Sequence, residues 1–289
     1  MNNADMHMHT TASDGLHRPS EVVRMAKEAG LDLIAITDHD TVAGVKEAQE
    51  EGERIGVRVV PGVEISTADE GCDVHVLGYW MDVENETLLL RLAELRRVRD
   101  SRNEEILAKL TQLGMSLTME EVVASIGREL KQDETVGRPH IASALLQKGY
   151  VATIQEAFDR YLASGKPAFV LPQRISPEEA ARWIREAGGS AVIAHPGIYG
   201  RDAMVERLLE TKQFDGLEVF HSDHSPEQEA VYEALALSNG LVLTAGSDFH
   251  GARNGALHRS YIGARRTSAE TAQKLLSLAE ARRKGGHEG

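Results

Sequence analysis

Apolar positions in this chain fall into short runs separated by longer stretches with helical spacing. The runs at 6–9, 33–37, 57–65, 74–79, 191–194, 217–220 and 241–245 are rich in aliphatic residues and bounded by turn formers, which predicts strands. Between most of them the apolar residues lie on one face of a helix, at 20–29, 41–55, 177–187 and 226–239. Each of these segments is introduced by a capping Ser or Thr or an early Pro. Strand and helix alternate, so the pattern favours an α/β fold over a sandwich, and seven parallel strands suit a distorted seven-stranded (β/α) barrel. The rhythm breaks at 85–171, where helical patterns follow one another without a strand, predicting a helical insertion after the fourth strand. The barrel would then comprise 1–84 and 172–289, with a frayed Arg-Arg-Lys-Gly-Gly-His-Glu-Gly tail.

A chain of 289 residues can hold one large α/β domain or a medium domain with an insert, and 42% hydrophobic and 27% charged residues describe an ordinary globular protein. The single cysteine, Cys72, excludes an intramolecular disulfide and fits a reducing compartment. With a polar N-terminus and no long apolar run, the expectation is a cytoplasmic protein without a membrane partner. A net charge of −13 argues against a broad basic face for long duplex nucleic acid, leaving a short or small phosphorylated partner. Bound divalent cations would offset part of that charge locally.

Histidines are the central chemical clue, because they gather at strand ends. His7 and His9 stand two apart on the first strand, so the period of the strand turns both imidazoles to one face, as a shared metal ion requires. Asp14 follows in Ser-Asp-Gly, His39 in Thr-Asp-His-Asp after the second strand, and Glu64 in Gly-Val-Glu-Ile-Ser on the third. His75 lies on the fourth strand, His195 in Ala-His-Pro-Gly ends the fifth, and Asp248 with His250 in Gly-Ser-Asp-Phe-His ends the seventh. A barrel gathers such strand ends around one mouth, where active sites of this architecture form. A lone buried histidine is commonly bonded to backbone and a lone aspartate commonly caps a helix. So many imidazole and carboxylate ligands together imply two or three divalent ions, with Glu64 as the candidate bridge. Mixed ligation without thiolate suits manganese, with iron or zinc as alternatives.

The motifs Asp-Met-His-Met-His-Thr with Ser-Asp-Gly, Thr-Asp-His-Asp, Pro-Gly-Val-Glu, His-Pro-Gly and Gly-Ser-Asp-Phe-His, in this order, resemble the polymerase-and-histidinol-phosphatase (PHP) superfamily of metal-dependent phosphoesterases. The resemblance implies a trinuclear centre: His7, His9, Glu64 and Asp248 on one ion, Asp14, His39 and His250 on the second, and His75 and His195 with bridging Glu64 on the third. Gly-Arg-Pro-His-Ile-Ala, Tyr-Leu-Ala-Ser-Gly-Lys-Pro-Ala-Phe-Val and Glu-Val-Phe-His-Ser-Asp-His-Ser resemble the branch of nucleoside 3′,5′-bisphosphate phosphatases and the 5′-to-3′ exoribonuclease of RNA maturation. That branch implies Arg138, His140 and Lys166 as grips for phosphate oxygens. His224, His195 and Asp248 are the expected catalytic residues, the two histidines as alternative proton donors to the leaving oxygen. His221 could exchange roles with His224 and otherwise joins the substrate contacts. His17, His258 and His287 fall outside the strand-end pattern and read as structural or surface residues.

The expected chemistry is in-line attack on phosphorus by a metal-bound hydroxide. The expected substrate is a small phosphorylated nucleotide such as a nucleoside 3′,5′-bisphosphate (pAp), or a short 5′-phosphorylated oligonucleotide. No Gly-x-Ser-x-Gly elbow, P-loop or Rossmann fingerprint supports another chemistry. The alternatives are a histidinol-phosphate phosphatase, which shares the metal set but does not call for the Gly-Arg-Pro-His segment, and a non-catalytic metal-bound accessory or editing-type domain.

Overall fold

The structure is a computed structural model that describes residues 3–131, 133–253, 256–257 and 260–285. His258 and His287 lie outside the described residues.

Seven strands are hydrogen-bonded in chain order: β1 Ala4–Asp5, β2 Leu33–Ile36, β3 Arg58–Asp69, β4 Cys72–Tyr79, β5 Ser190–Ile193, β6 Gly216–His221 and β7 Val242–Gly246. The chain beyond β1 runs on extended and meets β7: Met6 N donates to Ala245 O at 3.1 Å and Asp248 N to His7 O at 2.9 Å. These bonds join the first strand to the last and round the sheet into a barrel. Wholly buried runs such as Leu33–Ile36 form strands because both faces are covered, the interior by other strands and the exterior by helices.

The strands are not all parallel. β3 and β4 form an antiparallel hairpin from Gly62–Tyr79 to Asp69–Cys72, and β4 also pairs antiparallel with β5. Its two-residue loop, Glu70 and Gly71, has positive φ at both positions (46° and 76°), the backbone such tight hairpins require. Reversal of β4 puts its beginning, not its end, at the barrel mouth, which is why His75 reaches the mouth from so early in the strand.

Helices α1 Pro19–Glu28, α2 Val45–Ile55, α7 Pro177–Glu186, α8 Asp202–Glu210, α9 Pro226–Ser238 and α10 Ala269–Gly285 belong to the barrel's surround. Between β4 and β5 come α3 Glu86–Gln112, α4 Met119–Ile126, α5 Arg138–Gln147 and α6 Ile154–Ala157, the last continued by a π-helical turn at Phe158–Leu162. One buried stripe of α3 joins the two regions: Leu88, Leu92 and Leu95 pack in the barrel's core, and Ile106, Leu107 and Leu110 pack in a second core with Val122, Ile141 and Leu145. Between them lie Arg99, Arg102 and Asn103, buried at the barrel mouth. Of the tail expected to fray, Arg282 and Arg283 are instead held in α10 by bonds to Asp215, Gly189 O and Gly188 O. Among the described residues no helix is long and apolar enough to cross a membrane.

Candidate metal centre

The extended chain after β1 carries His7 and His9 into the mouth, both fully buried, with their Nε2 atoms 3.2 Å apart. Asp14 is presented by a tight loop that Asp38 organises, accepting from Thr10 N at 2.8 Å, Thr10 Oγ1 at 2.7 Å and Ser13 Oγ at 2.6 Å. Of the Thr-Asp-His-Asp segment, then, only His39 faces the centre. Asp40, left-handed at φ 54°, turns to Ser66 N at 2.8 Å and to Arg99. Gly246 is obligatory here: a Cβ would stand 2.2 Å from the His7 Cβ and 2.6 Å from Glu218.

Glu64 is the hub. Its Oε1 faces His75 Nδ1 at 2.7 Å and His195 Nε2 at 3.0 Å, while Oε2 faces His39 Nδ1 at 3.0 Å, His9 Nε2 at 3.1 Å and His7 Nε2 at 3.4 Å. Asp248 Oδ1 lies 3.1 Å from His9 Nε2 and 3.5 Å from His7 Nε2. Asp14 Oδ1 lies 3.3 Å from His250 Nε2, and its Oδ2 lies 3.9 Å from His39 Nε2. Donor atoms about 2.1 Å from a common ion stand about 3.0–3.4 Å from one another at right or tetrahedral angles. The spacing therefore fits cations. So does the burial of Asp14 Oδ1, Glu64 Oε2 and His39 Nδ1 without a hydrogen-bond partner.

The expected ligands His7, His9, Asp14, His39, Glu64, His75, His195, Asp248 and His250 all converge. The sets able to share an ion among the described residues are His9, Asp14, His39 and His250; His7, His9 and Glu64; His39, Glu64 and His75; His7, His195 and Asp248; and His7, Glu218 and His221, of which Glu218 and His221 are not among the expected ligands. Burial would raise the carboxyls of Glu64 and Asp14, but the surrounding imidazoles outweigh it and hold both well below the usual range. Burial likewise opposes charge on His9 and His75, yet Asp248 and Glu64 beside His9 push it up to about 10, and Glu64 and Asp73 push His75 up to about 9. His195 goes the other way, lowered by burial to about 4.

The other expected site residues fare differently. His224 donates from Nδ1 to Val219 O at 2.8 Å and accepts at Nε2 from Gly197 N at 3.0 Å, so backbone occupies both ring nitrogens. His221 sits beneath the centre rather than in a substrate cleft, its Nε2 3.4 Å from Asp248 Oδ2. His140 accepts from Gly137 N at 3.0 Å, closing the first turn of α5. Lys166 stands exposed in a turn outside the cleft lining. Arg138 does line the cleft, over the Phe169 ring at 5.5 Å and 3.3 Å from Asp73. His17 is partly exposed and stacks on Phe249.

Sequence reasoning missed Glu218, wholly buried, which accepts from His7 Nδ1 at 3.0 Å and from His195 N at 2.8 Å. It also missed Arg99, Arg102 and Arg174, which join the expected Arg138 in the cleft. A cavity of about 100 Å³ is lined by Asp14, His39, His75 and His250 together with Asp73 and the four arginines Arg99, Arg102, Arg138 and Arg174. Its signal was available in part, since Glu218 lies three residues before His221 at a strand end.

A family model described as PHP domain matches residues 5–189. The 5′-3′ exoribonuclease Rnm of Escherichia coli is 36% identical over 252 residues, covering 85% of this chain and 84% of that protein. The 3′,5′-nucleoside bisphosphate phosphatase of Chromobacterium violaceum is 35% identical over 255 residues, covering 86% and 88%. A solved structure assigned as a metal-dependent phosphoesterase from Bifidobacterium adolescentis superposes with a TM-score of 0.84 at 33% identity, covering 95% of each chain.

Proposed function

The chain belongs to the PHP domain family, and from that premise we propose that it hydrolyses phosphate esters of nucleotides at a multinuclear divalent metal centre. The bond broken is the 3′-phosphate ester of a nucleoside 3′,5′-bisphosphate such as pAp, or a phosphodiester at the 5′ end of a short RNA. The observation that carries this reading is the division of Glu64, whose two oxygens face separate groups of imidazoles, beside a cleft walled by arginine. A histidinol phosphate would not call for that wall.

In this reading His7, His9, Asp14, His39, Glu64, His75, His195, Asp248 and His250 hold the ions, manganese before iron or zinc. Bound ions supply an activated water and offset charge on the phosphoryl oxygens. Glu64, with imidazoles facing both of its oxygens, would offset the repulsion between neighbouring cations. His195, neutral near pH 7 because burial lowers it to about 4, has the protonation state of a ligand and not of a proton donor. With His224 committed to backbone, the leaving oxygen takes its proton from solvent in the cleft. Arg138 contributes a guanidinium to the substrate's phosphate oxygens.

Steady-state rates on 3′-phosphoadenosine 5′-phosphate, short 5′-phosphorylated RNA and DNA, histidinol phosphate and an activated diester test the reading. The nucleotides should be preferred. A higher kcat/KM on histidinol phosphate or the activated diester overturns it.

A further inference from the structure

The ladder between β4 and β5 opens at the rung beside two of the expected ligands. Leu77 and Tyr79 face the barrel interior with Val192 and Ala194, while Val74, Val76, Ala191 and Ile193 pack outward against α7 and α8. The register pairs Val76 with Ile193, so His75 and Ala194 form the next rung and share the inner face. Side chains alternate along a strand, and a chain continuing straight after Ala194 would point His195 outward with Ile193. Instead His195 is left-handed, at φ 20° and ψ 60°, just before Pro196. That turn brings its Nε2 to 3.0 Å from Glu64 Oε1, where His75 Nδ1 also stands at 2.7 Å. A non-glycine residue keeps such a backbone only where its surroundings over-determine it.

Tyr199 braces the turn from both sides. Its hydroxyl accepts from His75 N at 3.0 Å and donates to Ala194 O at 2.8 Å, while Ala194 N donates directly to His75 O at 3.1 Å. A hydrogen-bonded antiparallel pair exchanges two direct bonds. Here one is direct and the other passes through a hydroxyl, which wedges the strands apart. The Tyr199 ring stands edge-on to the His195 ring, their centroids 5.7 Å apart. Three further bonds fix the same turn: His195 N to Glu218 Oε2 at 2.8 Å, Ile198 N to His195 O at 3.1 Å and Gly197 N to His224 Nε2 at 3.0 Å. We propose that Tyr199 is a positioning residue for the metal centre, its hydroxyl setting His75 and His195 at the separation that an ion on Glu64 Oε1 requires. The inference rests on the multinuclear reading of the centre and concerns one of its ions.

The test compares wild type, Tyr199→Phe, His75→Ala and the double variant, each chelated and then titrated with manganese by calorimetry, with circular dichroism and Tm read on the chelated proteins. Tyr199→Phe keeps the ring against His195 and deletes only the wedge. It should hold one ion per chain about ten- to a hundredfold less tightly, as loss of a partner behind a metal ligand does, and leave the other ions unchanged. Excess manganese should restore its turnover, which a defect of packing alone would not allow. In the His75→Ala background, where the ligand pair is already broken, Tyr199→Phe should weaken none of the remaining ions further. Manganese binding by Tyr199→Phe at wild-type strength overturns the proposal, whatever its Tm. A further loss of equal size in the His75→Ala background overturns it too, and so does a Tyr199→Phe that no longer folds, because the hydroxyl would then hold the barrel and not this pair of ligands. A wild type that binds at most one ion per chain overturns the multinuclear reading itself, and this inference with it.

Discussion

His7 and Glu218 meet in the barrel's interior, the Nδ1 of His7 lying 3.0 Å and 3.1 Å from the two carboxylate oxygens of Glu218, with both side chains wholly shielded from solvent. Glu218 thereby fixes the His7 tautomer that donates at Nδ1 and leaves Nε2 to face Glu64 and Asp248. Burial would raise the Glu218 carboxyl, but His7 outweighs it and brings Glu218 down to about 2. Its Oε2 also accepts from His195 N at 2.8 Å, so Glu218 positions two of the expected ligands.

Glu218→Gln should therefore lower metal affinity or activity by about ten- to a hundredfold, as loss of a carboxylate behind a ligating histidine does. Titration of chelated protein with manganese, followed by competition with a chromogenic chelator, measures it. Undiminished affinity would make Glu218 a packing residue only.

How much of this was legible beforehand depended on the signal each residue leaves. His7 and His9, His39, and Asp248 with His250 announce themselves because imidazoles at strand ends are unusual company for one another. Arg99, Arg102 and Arg174 leave no such mark: a guanidinium on a charged helix or in a connecting segment looks the same whether it faces solvent or a cleft, and only tertiary packing decides. The direction of β4 was hidden for a related reason, since period-two alternation is identical in either sense, and only the Glu70-Gly71 loop marked a hairpin. The backbone bonds of His224 were hidden because nothing in the sequence announces the irregularity of β6 between Glu218 and Phe220, where Val219 offers its carbonyl.

Glu64→Gln replaces an oxygen facing imidazole nitrogens with an amide that offsets no cation charge. The variant should fold, carry at least one ion fewer per chain than wild type, and lose on the order of a hundredfold or more in kcat/KM. Elemental analysis and circular dichroism on the same sample separate loss of metal from loss of fold. Wild-type turnover with full metal content would remove Glu64 from the bridge.

In the metal-free protein the same cluster should set the pH range of stability. His9 is pushed up to about 10 and His75 to about 9 from an ordinary 6.5, their carboxylate neighbours outweighing burial. Because the folded chain holds these protons more tightly, their contribution is complete below about pH 6.5 and is lost as the pH rises through 9 to 10. Glu64 and Asp14, held below ordinary values of 4.5 and 3.8, contribute above those values and lose their effect as the pH falls. Chelated protein should thus melt highest between these limits and lose Tm from pH 6.5 to 9. Added manganese, taking the place of the protons, should remove most of that alkaline loss and release protons on binding. Thermal scans of both forms across this range measure it, and a chelated protein as stable at pH 9 as at pH 6 would refute the linkage.

The attachment of α3 to the barrel mouth gives the last test, because Arg99 and Asp40 form a buried pair that joins them. Arg99 donates from Nη2 to Asp40 Oδ2 at 2.6 Å and to Ser66 Oγ at 2.7 Å, and Asp40 Oδ1 accepts from Ser66 N at 2.8 Å. Arg99→Met keeps the packing of the stem but strands the Asp40 carboxylate among buried groups, and removing one partner of such a pair costs about 3–5 kcal/mol. The penalty comes from the uncompensated charge more than from the lost attraction. Asp40→Asn in the Arg99→Met background should therefore recover part of the loss, since asparagine keeps the acceptor for Ser66 N and tolerates the left-handed backbone at φ 54°. Asp40→Asn alone, which leaves Arg99 buried against a neutral amide, should also destabilise. Denaturant unfolding of the four proteins closes a double-mutant cycle, and the expected result is a double variant more stable than the sum of the single losses by at least about 1 kcal/mol. Strict additivity would mean that the two side chains act independently, and that α3 is held over the mouth by its leucine packing and by other bonds such as Arg96 to Asp40 O.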